Sequence, residues 1–114
     1  MSSLRLEEKP VVIDGQVYTL RCNMAVLDAL QEAHGGDFGE VMKLEPRQAA
    51  PEILAAMLND SAEDQGYPVT WTTRAVKKRF SYAQLLDLDV LGIFTRGIVP
   101  AEGGAEATPD NSGN

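Results

Sequence analysis

Two short apolar runs, Val11–Ile13 and Val17–Cys22, flank the dipeptide Asp14-Gly15 near the start of the chain. In the second run Val17, Thr19 and Arg21 alternate with Tyr18, Leu20 and Cys22, the period of two that lets a strand bury one face and wet the other. Asp-Gly tolerates the positive φ angles of a tight type I′ turn, so the segment predicts a β-hairpin. Leu4–Leu6 is a candidate further strand. A lone hairpin is marginal in water, so this one must lie against helices or join another sheet.

The period then becomes helical. Asn23 is a candidate N-cap for Met24–His34, where Val26, Leu30 and Ala33 form a stripe flanked by Met24 and Leu27, and Gly35 supplies the left-handed residue that ends a helix. A further helical turn or two follows Asp37 through Phe38, Val41 and Met42, and Pro46 ends it. Pro51 fits the first turn of a helix over Pro51–Asn59 that buries Ile53, Leu54, Met57 and Leu58. Asp60–Gly66 reads as a polar acidic loop, and Tyr67–Trp71 as either a short edge strand or an extended connection. Thr72 or Thr73 caps Arg74–Phe80, and Ser81 caps a last helix from Tyr82 to about Gly97.

That last helix carries the most information. Leu85, Leu86, Leu88, Val90, Leu91, Ile93 and Phe94 occupy nearly every azimuth of a single helix, and a helix apolar all round must be buried on several sides. A domain of under about 100 residues can cover about two of them. Either this is a central core helix wrapped by the hairpin and the earlier helices, or part of it is left as a surface for another protein. On the second reading Leu85, Leu88, Leu91 and Phe94 are the candidate partner-binding residues, and the surplus predicts a homo-oligomer or capture of a coiled-coil-like client.

From Pro100 onward the chain has no large apolar side chain, which predicts a flexible tail because nothing there offsets the entropy of ordering. The expected architecture is α+β: a small single domain over 1–99, with an N-terminal β-hairpin packed on three to four α-helices, and a disordered acidic C-terminal tail over 100–114.

Charge and chemistry narrow the role. The formal net charge is −7, the wrong sign for duplex DNA or an anionic membrane surface. Arg74, Lys77, Lys78 and Arg79 run against that trend, and with the following helix they faintly resemble a helix-turn-helix, so a small DNA-binding regulator stands as an alternative. No apolar run reaches the roughly 18 residues a bilayer-spanning helix needs, and the first residues carry neither a basic region nor an apolar one, which predicts no membrane span and no secretory signal. A lone cysteine, Cys22, fits a buried small hydrophobe in a reducing compartment.

Catalytic groups are few. The one histidine, His34, sits at a helix end, and a zinc site would want about four Cys or His ligands where only two such residues exist. Gly35-Gly36-Asp37-Phe38-Gly39 lacks the strand and Lys-Ser/Thr of a phosphate loop. Asp60, Glu63 and Asp64 lack the register of a calcium loop, and Asp87 and Asp89 diverge by about 200° on a helix. No enzyme, no cofactor and no metal site are expected.

The order of these pieces resembles a known family. An Asp-Gly hairpin written Ile13-Asp-Gly-Gln-Val-Tyr-Thr-Leu-Arg21 leads into Asn23-Met-Ala-Val-Leu-Asp28. Gly36-Asp37-Phe38 follows, then Ile53-Leu-Ala-Ala-Met-Leu-Asn59 and the closing Leu-rich segment. Over about residues 10–98 this is similar to the tail assembly chaperones of long-tailed bacteriophages and prophages. The resemblance implies a non-catalytic protein of the host bacterium's cytoplasm that binds the tape-measure protein, and in some cases tail-tube subunits, and keeps apolar helices from aggregating until the tube forms. It also implies absence from the finished particle, and in some members a frameshift-extended form attached where the tail begins. A structural tail subunit is the neighbouring alternative. The basic segment Arg74–Arg79 and the Trp71 connection lie outside the resemblance.

Overall fold

In the computed structural model, which describes residues 5–99, Asp14 and Gly15 both have positive φ, 52° and 80°, as the Asp-Gly signal predicts for a type I′ turn. They join β1 (Lys9–Ile13) and β2 (Gln16–Leu20) in an antiparallel pair with Val11 opposite Tyr18 and Pro10 opposite Thr19. The Thr19 N–H points away from β1 and donates to Ser61 Oγ at 2.8 Å. Pro10 therefore occupies a non-hydrogen-bonded position, where its missing N–H removes no rung of the ladder. Among the described residues Leu6 is exposed and joins no strand, while Leu4 lies outside them.

The hairpin packs on helices, as predicted. The central one is α3 (Pro46–Gln65), which touches β2, α1 (Met24–Ala33), α4 (Thr73–Arg79), α5 (Tyr82–Asp87) and α6 (Val90–Ile98). Ile53, Leu54, Met57 and Leu58 are fully buried on α3, and so are the small side chains of Ala50 and Ala62. Small residues let neighbours approach on several sides, so this helix rather than the last one fills the core.

Helix α3 is longer than the pattern predicts at both ends. Pro46 does not stop the preceding turn, α2 (Phe38–Met42), so much as open α3 at its first position, and Pro51 lies inside the helix. Asp60–Gln65 is helical instead of a loop because tertiary partners hold it: Asp60 accepts from Arg21 and Asn23, Ser61 holds the β2 edge, and Ala62 is buried. Gly66, at φ 78°, then ends the helix in the left-handed region. Tyr67–Trp71 is an extended connection, pinned where the Asn59 amide accepts from the Trp71 N–H at 2.9 Å and donates to its carbonyl at 2.7 Å.

The predicted single helix from Tyr82 to Gly97 is two. It breaks at Leu88–Asp89, where Asp89 adopts φ 60°, so α5 and α6 turn different faces to the core. Helix α5 buries Leu85, and α6 buries Val90, Ile93 and Phe94. Six helical segments are described rather than three to four, since α2 is a short turn and the last helix is divided. No helix among the described residues is long and apolar enough to cross a membrane. The expected flexible tail, 100–114, lies outside the described residues.

Candidate partner-binding surface

Local signals place the walls of the surface. Thr72 caps α4 by accepting from the Ala75 N–H at 3.0 Å. Ser81 and Gln84 form a reciprocal capping box that starts α5 immediately after it. These two caps fix a bend at Phe80 and set α4 and α5 beside the first turns of α3. Between them lies a cleft of about 410 Å³. Glu45, Arg47 and Pro51 form its α3 wall, and Lys77, Phe80, Tyr82 and Leu85 the opposite one.

The four residues expected to bind a partner do not form one stripe. Leu85 is 3% exposed and touches the cleft from within. Phe94 is 6% exposed and packs on Phe38 with ring centroids 6.3 Å apart. Leu88 and Leu91 are half-buried against the core. The break at Asp89 is the reason: it removes the continuous helix on which these four would align, and Leu85 and Phe94 serve the interior. The apolar side chains left outside on α5 are Leu86, 55% exposed, and Tyr82, one turn earlier.

The basic cluster divides by partner. Arg79 donates to Asp14 at 3.0 Å and lies 5.2 Å from the Phe80 ring centre. Arg74, Lys77, Lys78 and Arg47 form no ion pair among the described residues. Arg74, Lys77 and Lys78 share a face of α4, and Lys77 and Arg47 reach the cleft from opposite sides. Behind them an aromatic chain runs into the core: Phe80 to Trp71 at 6.2 Å, Trp71 to Tyr18 at 6.2 Å, and Tyr18 to Tyr67 at 5.3 Å.

Other groups with chemical potential are engaged elsewhere. The His34 ring meets the Glu52 carboxylate. Asp60 and Asp64, one turn apart on α3, both hold Arg21. Asp89 and Glu7 both accept from Arg96, and the hydrogen bonds from Arg96 to Glu7 hold the Glu7 carboxyl below its ordinary range. Burial pushes the Cys22 thiol up. Among the described residues no three His, Cys, Asp or Glu side chains gather as a metal site.

Sequence reasoning finds Lys77 and Leu85 but misses Glu45, Arg47, Phe80 and Tyr82 as members of one surface. Pro51 was a usable signal. A proline inside a helix removes one N–H, so the Arg47 carbonyl lacks its usual donor at the edge of the cleft. Comparison with protein-family models, curated proteins and solved structures gives no match.

Proposed function

We propose that the chain is a non-catalytic tail assembly chaperone of a long-tailed phage or prophage. It holds apolar helical segments of the tape-measure protein, or tail-tube subunits, in the host cytoplasm until the tube assembles. The observation that supports this most is the cleft beside α5, where Phe80 and Tyr82 line the opening over the buried Leu85 and Leu86 stands exposed on the same helix. Such a surface suits the helix-in-groove mode of peptide capture. The surrounding acidic charge favours solubility while a client is held.

Co-expression with a long coiled-coil tape-measure product, taken from the phage or prophage genome in which this chain's gene is found, tests the reading. The expected result is a larger soluble fraction of that product and its co-purification with the chain. An unchanged soluble fraction with no co-purification contradicts it. A structural tail subunit would instead be found by mass spectrometry in purified particles, where a chaperone is absent. The unpaired cations of α4 favour one further reading, a DNA-binding regulator, which requires a mobility shift of duplex DNA at about 50 mM salt, where phosphate contacts are strong.

A further inference from the structure

We infer that the cleft between α3, α4 and α5 is a docking site for an acidic amphipathic peptide segment, one that sets carboxylates against Arg47 and Lys77 and an apolar side chain on Phe80, Tyr82 and Leu85. This rests on the chaperone reading and adds to it the place of capture and the charge of the captured segment.

Charge complementarity identifies the occupant. The chain as a whole carries −7, yet Arg47 and Lys77 face one cleft without ion-pair partners among the described residues, with Arg74 and Lys78 beside them. Two unpaired cations beside Phe80 and Tyr82 favour carboxylates flanking a hydrophobic residue. The volume of about 410 Å³ lies within the range of ligand clefts, roughly 300–1,000 Å³. A nucleic acid fits less well because Glu45 lines the same cleft and its carboxylate repels phosphate oxygens, whereas a peptide can bring N–H groups to it.

The chain's single tryptophan reports on the cleft, since Trp71 lies 6.2 Å from Phe80. The full chain is titrated with a synthetic helical peptide bearing Glu residues one turn apart around Leu and Phe, and Trp71 emission is followed. The same titration uses the Glu→Gln peptide and single-stranded and duplex oligonucleotides. The expected result is a saturable emission change with the acidic peptide and binding about tenfold or more weaker with the Gln peptide. Affinity should also fall as salt is raised, because surface charges are screened. The double variant R47E/K77E, checked for native circular dichroism, is expected to bind the acidic peptide about tenfold or more weakly. The single variants R47Q and K77Q give smaller losses of the same sign and serve if the double variant does not fold.

No binding of the acidic peptide, equal binding of the Gln peptide, unchanged binding by the charge variants, or tighter binding of an oligonucleotide would each overturn the proposal. The tape-measure co-expression separates the two levels. If R47E/K77E still solubilises that product as the wild-type chain does, the cleft is wrong and the chaperone reading stands. If the wild-type chain binds the acidic peptide but not that product, the cleft stands and the chaperone reading falls.

Discussion

Ser61 is 1% exposed, and its hydroxyl occupies the one place where β2 would otherwise present a bare amide to the core. Ser61→Ala leaves the Thr19 N–H buried without an acceptor, which costs about 1–3 kcal/mol. Urea unfolding should show a lower midpoint with an unchanged slope. Cys22 makes a second prediction at this scale. Burial favours the protonated thiol, so alkylation by iodoacetamide at neutral pH should be about tenfold or more slower in the native chain than in denaturant. The contribution to stability is fully present below the free thiol's value of about 8.5 and is lost as pH rises above it, so stability through this group falls in alkali.

At the level of elements, two glycines of α6 make opposite predictions. A Cβ on Gly97 would lie 2.6 Å from Cys22 Cβ and 2.9 Å from the Cys22 carbonyl oxygen, where α6 abuts the junction of β2 and α1. Overpacking against backbone costs about 1–3 kcal/mol, more than the helix propensity that alanine adds. Gly97→Ala should therefore lower Tm. A Cβ on Gly92 has the Asp89 carboxylate as its nearest neighbour, the far end of a side chain that can rotate away at the expense of its exposed bond from Arg96. Gly92→Ala should leave Tm unchanged or raise it, by up to about 1 kcal/mol of propensity.

Element starts were legible because they are local. Asn23, Thr72 and Ser81 each accept the backbone N–H three residues on, as their residue types predict. The Asp14-Gly15 turn was legible for the same reason. The far end of α3 was not, because Asp60 and Ser61 are helical through partners on β2 and at the start of α1. Nor was the break at Asp89, a non-glycine residue in the left-handed region, where no glycine or proline marks the stop. Without that break the hydrophobic count of the last segment overstated its free surface. The candidate site was half legible. Lys77 and Leu85 carry visible signals, whereas Arg47 joins them only once Pro51 is seen inside a helix.

Across the whole molecule, β2 of the hairpin and four helices, α1, α4, α5 and α6, pack on α3, and a chain of net charge −7 sets Arg47 and Lys77 against one cleft without ion-pair partners among the described residues. The Trp71 connection is anchored on α3 by Asn59. Asn59→Ala removes both amide bonds to Trp71 and should redden Trp71 emission and cost about 1–3 kcal/mol in thermal unfolding, without changing the hairpin.

The proposed holding activity is measured most directly by light scattering. A long coiled-coil tape-measure protein, taken from the phage or prophage genome in which this chain's gene is found, is diluted from denaturant into buffer with increasing amounts of the purified chain. Scattering is predicted to be suppressed as the chain approaches stoichiometric amounts, with a soluble complex recovered by gel filtration. Scattering no lower than with an equal mass of an inert acidic protein, and no complex, would contradict the account.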